Sequence, residues 1–182
     1  MRIAVSGTHA AGKSTLVDDF LARHGRYIHE PEPYEWLVEL HGEELSAAPT
    51  ADDFRRQLEV SAERWCSHPP GANVIGERCP LDFLAYVLAL GDLGRERRTE
   101  ALVASMLAPA AAGMAHVDLL AVLPLEGTVA EDEDPELADA MNERLLELVS
   151  ADPYDLLSGT RTIELRGRPQ ARLAALERAI TA

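Results

Sequence analysis

The sequence predicts an α/β domain in which five parallel β-strands carry helices on both faces, a doubly wound sheet. Short apolar segments alternate along the chain with longer segments of helical periodicity, which is the pattern of successive βα units. The 182 residues suit one domain. No internal repeat or linker-like stretch divides the chain. We therefore expect residues 1–182 to form one domain.

The strand predictions rest on short β-type segments bounded by turn residues. The first segment leads directly into a glycine-rich turn, and Pro31 and Pro33 end the second. The fourth segment is the longest, and its continuous apolar character predicts a fully buried strand. The predicted strands are residues 3–5, 26–29, 73–76, 117–123 and 161–165.

Helical periodicity fills the intervals between these strands. Phe54, Leu58, Ala62 and Trp65 recur at i, i+4, i+8 and i+11, which is one helix face. A proline at the first turn favours the start of the next helix. The helices are expected around residues 16–21, from 51 to the turn at 69–71, and over 80–90, 95–112, 137–148 and 173–180.

Composition and charge exclude several classes of function. The chain is 47% hydrophobic and 26% charged, as in ordinary globular proteins, and its net charge is −14. That charge argues against a nucleic-acid polymer or an anionic membrane as partner, and no apolar run approaches the ~18 residues of a membrane span. The opening MRIAVSG is typical of a strand and not of a secretory signal. Because Cys66 and Cys79 form no disulfide framework, we expect a cytoplasmic protein.

Residues 7–15 read Gly-Thr-His-Ala-Ala-Gly-Lys-Ser-Thr and match G-x-x-x-x-G-K-[ST] between a predicted strand and a predicted helix. Lys13 is the only lysine in the chain, at the position where a compact cation is needed. The loop amides and the helix N-terminus favour phosphate oxygens, and Ser14 would bind Mg²⁺. The pattern predicts a nucleoside triphosphate site formed by Gly7, His9, Ala10, Ala11, Gly12, Lys13, Ser14 and Thr15.

Other phosphate-loop classes do not fit this chain. Without a second lysine there is no Asn-Lys-x-Asp base reader of a GTPase, and no LSGGQ-like signature of an ABC-type ATPase is present. A motor or AAA+ machine normally needs a longer chain with a second module. The length suits a small kinase, which needs the loop, an acid that binds the metal ion, an acceptor pocket and a lid.

Two further segments resemble the deoxynucleoside kinase group and its smaller bacterial relatives, the AAA-type P-loop kinases. Residues 29–36 read His-Glu-Pro-Glu-Pro-Tyr-Glu-Trp, and residues 77–82 read Glu-Arg-Cys-Pro-Leu-Asp. The resemblance implies that Glu30 or Glu32 takes the proton from the acceptor hydroxyl, and the position of Trp36 leaves that choice open. We expect the strand order 2-3-1-4-5 and ATP as phosphoryl donor. The related kinases are often dimers, so the resemblance also implies a homodimer as one possible state.

The same resemblance implies roles for several other side chains. Glu77 would bind Mg²⁺ through water and Arg78 would orient the acceptor, while Asp82 would contact substrate or cap the next helix. Gln57 and Arg64 lie seven residues apart on one helix face, as the base-reading pair of deoxynucleoside kinases does, and Trp36 could line the same pocket. Arg166 and Arg168 follow the last predicted strand, where the relatives pack the adenine.

The lid, at about residues 124–136, departs from the family pattern. Residues 126–139 contain no basic side chain and seven carboxylates, Glu126, Glu131, Asp132, Glu133, Asp134, Glu136 and Asp139. Phosphoryl transfer develops charge that cations must meet. Either Arg144 or the cluster Arg95, Arg97 and Arg98 supplies that charge, or the transfer is slow. Alternatively, the acceptor is itself cationic, or the segment is a solvated loop.

These observations predict a kinase that moves the γ-phosphoryl group of ATP to a small-molecule hydroxyl, with a nucleoside as the favoured acceptor. A cationic natural product or antibiotic is the alternative acceptor, and a nucleoside monophosphate is disfavoured because an acidic lid would repel its phosphate. From another class, the chain could be a regulatory module that binds or hydrolyses ATP without an acceptor.

Overall fold

The computed structural model describes residues 1–40, 42–43, 46, 49–127 and 134–181. Five parallel strands form one sheet in the order β2-β3-β1-β4-β5, so the predicted fold class and strand order are confirmed. The strands are β1 (Arg2–Ser6), β2 (Ile28–Glu30), β3 (Val74–Glu77), β4 (Leu119–Val122) and β5 (Arg161–Glu164).

Seven α-helices and one π-helical turn surround the sheet in the described part of the chain. The capping box between Thr50 and Asp53 sets the start of α3, because each side chain accepts a hydrogen bond from the other's backbone N–H. The helices are α1 (Lys13–Arg23), the short α2 (Pro33–Glu35) followed by a π-helical turn (Trp36–Leu40), α3 (Ala51–Ser67), α4 (Pro80–Asp92), α5 (Thr99–Met114), α6 (Pro135–Ala151) and α7 (Pro169–Thr181).

Several predicted boundaries were wrong, among them both ends of the fourth strand, predicted over 117–123 and observed as Leu119–Val122, and two have a clear cause in the hydrogen bonds. The second strand begins at Ile28 and not at residue 26, because the Tyr27 N–H closes a turn on the His24 carbonyl instead of joining the sheet. The helix predicted over 95–112 begins at Thr99, because the N–H groups of Arg95 and Glu96 both donate to the Leu90 carbonyl at the end of α4. Periodicity alone does not show where such a turn interrupts two consecutive helices.

The core lies in two layers, one on each face of the sheet. Ile3 and Val5 of β1 pack with α1 and α7, while Ala4 between them packs with the layer of α3 to α6. This alternation follows from the two-residue period of a strand, and burial on both faces is what a parallel sheet requires. No described helix is both long and apolar enough to cross a membrane. The loops at the carboxyl ends of the strands remain available for a site.

Candidate functional site

The loop between β1 and α1 forms the turn that the sequence predicts to bind phosphate. Gly12 has φ 90°, which favours glycine, and its carbonyl accepts the first helical hydrogen bond from Leu16 N–H at 3.2 Å. Gly7 lies close to Leu123, the residue that follows β4. A Cβ on Gly7 would be 2.6 Å from the Leu123 carbonyl oxygen. Two glycines are therefore required by backbone geometry, and the N-terminus of α1 opens onto the loop.

The buried carboxylate of Asp82 anchors the start of this loop through hydrogen bonds. One carboxylate oxygen accepts from the Ser6 hydroxyl at 2.6 Å and from Cys79 N–H at 2.9 Å, and the other accepts from Gly7 N–H at 3.1 Å. Its side chain is completely buried. The structure thus favours the capping alternative for Asp82 over the predicted substrate contact, because no surface of the carboxylate reaches the cavity.

Lys13 is buried at the start of α1, and its ammonium group donates to the Thr8 carbonyl across the loop at 3.1 Å. Burial lowers the pKa of Lys13 to about 8, and the nearby Arg78 charge acts in the same direction. Among the described residues the buried Thr8 hydroxyl has no hydrogen-bond partner. An anionic ligand in the loop would raise the pKa of Lys13 again, since an opposite charge favours the protonated amine.

Ser14 and Glu77 bring two oxygen atoms together beside the loop, with the Ser14 hydroxyl 3.0 Å from Glu77 Oε2. Burial raises the pKa of Glu77, and the Lys13 charge opposes that shift. A hydroxyl and a carboxylate oxygen are the hard ligands that Mg²⁺ prefers. The two side chains therefore fit the predicted metal-binding role.

The structure places the two candidate general bases in different surroundings. Glu30 ends β2 and is buried, with its two carboxylate oxygens 2.5 Å from Arg64 Nε and 2.6 Å from His68 Nε2. Glu32 comes after the strand and borders the cavity, where it pairs with Arg78. Burial alone would raise the pKa of Glu32, but the charges of Arg78 and Lys13 hold it below its ordinary value. Of the two, Glu32 has the carboxylate that a bound acceptor could reach.

Arg78 is fixed by contacts on several sides. It has φ 65° at the end of β3, unusual for a residue other than glycine, and its side chain is buried. The guanidinium pairs with Glu32, donates to the Gly7 carbonyl at 3.3 Å, and lies 5.3 Å from the centre of the Tyr86 ring. Burial would lower the pKa of Arg78, but neighbouring Tyr86 and Glu32 raise it above its ordinary value. A permanent cation therefore stands between the loop and the cavity.

A cavity of about 1400 Å³ opens beside the phosphate loop. The rings of Phe54 and Tyr86 form part of its wall and stack with centroids 4.4 Å apart and planes 7° apart. Gln57 lines it with only 6% of the residue exposed, and no described hydrogen bond engages its amide. Among the described residues, the cavity thus offers an aromatic wall and an unengaged amide together with Glu32 and Arg78.

Other predicted residues lie apart from this cavity. Arg64 pairs with Glu30, and its guanidinium packs 5.4 Å from the centre of the Trp36 ring. The predicted lid residue Arg144 is bound to Asp92 at 2.5 Å and to Glu147 at 2.7 Å. The sequence predicted that Arg64, Trp36 and Arg144 contact a ligand. In the structure, all three contact other side chains of the protein instead.

Of the basic residues predicted near the nucleotide and the lid, some lie at the cavity and others are exposed elsewhere. Arg166 is exposed and pairs with Glu164, and Arg168 is exposed at the start of α7. Arg95 lines the cavity, where it pairs with Asp134 and Glu136. The lid carboxylates Glu131, Asp132 and Glu133 lie outside the described residues.

Sequence reasoning missed Arg172, Tyr34 and Tyr86. Arg172 reaches the phosphate loop from α7 and contacts the Ala11 carbonyl. Tyr34 is half-exposed at the cavity, and Tyr86 packs over Arg78. The spacing of Asp82 and Tyr86, one helical turn, is a signal that would have found Tyr86. No local signal distinguishes Arg172 from the other arginines.

Comparison with known proteins agrees with this architecture. A family model described as an AAA domain matches residues 2–172. Deoxyadenosine kinase from M. mycoides with bound dATP is similar at a TM-score of 0.68 and 14% identity, with 100% of both chains covered. Thymidylate kinase from Candida albicans has a TM-score of 0.71 and 16% identity, with 98% of this chain and 90% of that chain covered. The comparison with curated proteins gave no match. The likenesses confirm the predicted fold.

Proposed function

Because the chain belongs to this AAA-domain family of P-loop proteins and has the fold of the P-loop kinases, we propose that it is an ATP-dependent phosphotransferase. It moves the γ-phosphoryl group of ATP to a small-molecule hydroxyl, and a nucleoside is the favoured acceptor. The observation that carries this proposal is the Glu32–Arg78 pair, which borders both the phosphate loop and the cavity. A protein that only binds ATP has no need of a carboxylate there, whereas an ATPase would use it to orient water, so the acceptor panel below separates a kinase from an ATPase.

The phosphate loop and Lys13 bind the phosphoryl donor, ATP. The loop amides and the N-terminus of α1 bind phosphate oxygens, and Lys13 neutralises charge on the transferred group. Ser14 and Glu77 would hold Mg²⁺, which when bound offsets negative charge on the phosphates. Arg78 adds a second fixed cation on the cavity side of the Gly7 carbonyl.

The acceptor side belongs to Glu32. As an ionised carboxylate it accepts a hydrogen bond from the acceptor hydroxyl and so aims the oxygen at the γ-phosphorus. A lowered pKa suits this role, because the loose transition state of phosphoryl transfer needs little proton removal before bond formation. The proton passes to Glu32 as the new P–O bond forms and the bond to the ADP oxygen breaks.

A nucleoside is supported by the walls of the cavity. Its base would lie beside the apolar wall that the stacked Phe54 and Tyr86 rings form, and the Gln57 amide can both donate to and accept from a base edge. The alternative of a cationic acceptor rested on the acidic lid. Two of those carboxylates, Asp134 and Glu136, are already paired with Arg95, which reduces their attraction for a cation.

Transfer of label from γ-labelled ATP to a panel of nucleosides, nucleoside monophosphates and basic natural products tests the proposal. Lys13→Ala serves as the blank. Glu32→Gln should lower the transfer rate by about 10²–10⁴-fold, while Glu35→Gln, an exposed carboxylate three residues away, should leave it unchanged. Label on one panel member supports the kinase and identifies its acceptor. Release of inorganic phosphate alone, at the same rate with every compound, would replace it with an ATPase or a sensor.

A further inference from the structure

Arg172 connects the last helix to the phosphate loop. Its Nη1 donates to the Ala11 carbonyl at 2.7 Å, and its Nη2 pairs with Glu126 at 3.0 Å. Only 11% of the side chain is exposed. A guanidinium that bonds to two partners in its own plane is held in one orientation, so it constrains the carbonyl that it contacts.

Through the peptide group between Ala11 and Gly12, the Arg172 contact also fixes the direction of the Gly12 N–H. Because a peptide is planar and trans, its C=O and N–H point in opposite directions. Holding the Ala11 carbonyl against Arg172 of α7 therefore aims the Gly12 N–H away from α7. A Cβ on Gly12 would lie 3.1 Å from Arg172 Nη1, so the guanidinium rests directly against this peptide.

Glu126 extends the link to a second loop. Its carboxylate pairs with Arg172 and also accepts from Gly167 N–H, with distances of 3.0 and 3.3 Å to the two oxygens. Arg172 Nε is buried without a partner among the described residues. An unsatisfied buried donor costs stability, so packing of the fold alone does not account for this arrangement.

We propose that Arg172 is a positioning residue of the phosphate loop, which fixes the Ala11–Gly12 peptide so that the Gly12 N–H donates to the triphosphate. The positive guanidinium also polarises that peptide and strengthens its N–H as a donor. The inference rests on the triphosphate-binding half of the proposed function and not on the acceptor. It assigns a role to Glu126, which holds the guanidinium in place.

Two ligands and two matched variants test this role. The affinities of ATP and of inorganic tripolyphosphate are measured by calorimetry for the wild type, for Arg172→Gln and for Arg178→Gln, which removes an exposed arginine from the same helix. The carbonyl ¹³C shift of Ala11 and the amide ¹⁵N shift of Gly12 are recorded without ligand. Arg172→Gln should weaken both ligands by the same factor, about tenfold or more, as loss of a charge-assisted hydrogen bond predicts, and should move both shifts.

Arg178→Gln should change neither affinity nor either shift. Weaker ATP binding with unchanged tripolyphosphate binding would make Arg172 a contact to the nucleoside part of ATP and overturn the inference. Unchanged binding of both ligands would also overturn it. If Arg172→Gln does not fold, Arg172→Lys keeps the charge without the planar fork and should still weaken both ligands equally. A wild type that binds both ligands but transfers no phosphoryl group refutes only the kinase proposal.

Discussion

Replacing Glu30 with glutamine tests whether this glutamate stabilises the fold while its neighbour Glu32 serves the reaction. The substitution keeps the size of the side chain and removes the charge that faces Arg64 and His68. Only 5% of the Glu30 side chain is exposed. Glutamine would also turn an NH₂ group toward one of these donors. The variant therefore leaves a cationic partner without its counter-charge.

The expected loss of stability follows from how buried the pair is. Removing one partner of a fully buried ion pair costs about 3–5 kcal/mol. The Arg64 side chain is 32% exposed and can recover some solvation, which reduces the expected cost to about 2–3 kcal/mol. For a domain of this length that corresponds to a fall in Tm of roughly 4–12 °C.

Urea unfolding and transfer kinetics on the same preparations measure the two effects separately. Glu30→Gln should shift the unfolding midpoint with an unchanged m-value, and the folded protein should keep kcat within about tenfold of the wild type. Glu32→Gln should lower kcat by about 10²–10⁴-fold. Because it removes the counter-charge of the buried Arg78, it should also lower the free energy of unfolding, so kcat is the measurement that separates the two variants. If Glu30→Gln instead lowers kcat by about 10²-fold or more while its stability stays that of the wild type, Glu30 is the acceptor-side carboxylate and the assignment is refuted.

Three further substitutions test the phosphate loop, the buried Asp82 beside it, and the Arg2–Asp118 ion pair at the amino ends of β1 and β4. Gly12→Ala forces a Cβ into a left-handed backbone and against Arg172, so it should abolish ATP binding in calorimetry while secondary structure by circular dichroism is kept. Asp82→Asn replaces a buried oxygen acceptor with a donor, and urea unfolding should show a loss of about 2–4 kcal/mol. Burial alone would raise the pKa of Asp118, but the hydrogen bonds and charge of Arg2 hold it below its ordinary value. The stability that Asp118 contributes is thus complete above about pH 4 and lost as the pH falls further, through its folded pKa. The difference in unfolding free energy between wild type and Asp118→Asn should therefore shrink over that acid range.

The fold could be predicted because its determinants are local. The alternation of short β-type segments with helical periodicity is visible in any window of the chain, and it fixes the parallel architecture through general rules of connection. The boundary at Thr99 could not be predicted in this way. It depends on two N–H groups that share the Leu90 carbonyl, and no sequence pattern records that contact.

The candidate site also has one part that the sequence predicts locally and one part that depends on the fold. The phosphate loop is one continuous motif, and its position after β1 identifies it from sequence. The choice between Glu30 and Glu32 is not local, because both are carboxylates in one short acidic segment. The register of β2 against β3 sets the different surroundings of the two side chains. Glu30 is opposite Gly76 within the sheet, where a Cβ on Gly76 would meet Glu30 at 2.8 Å, and the chain leaves the strand before Glu32.

The acidic lid shows why counting charges along the sequence misleads. The sequence places no cation between residues 126 and 139, and this suggested a negative surface that would favour a cationic acceptor. In the structure, Arg95 comes from the α4–α5 connection to pair with Asp134 and Glu136, and Arg172 comes from α7 to pair with Glu126. Because these cations are distant in sequence, only the fold brings them to the carboxylates. The charge that reaches a ligand is the sum over neighbours in space, and at the phosphate loop Lys13 and Arg78 already supply two cations without any contribution from the lid.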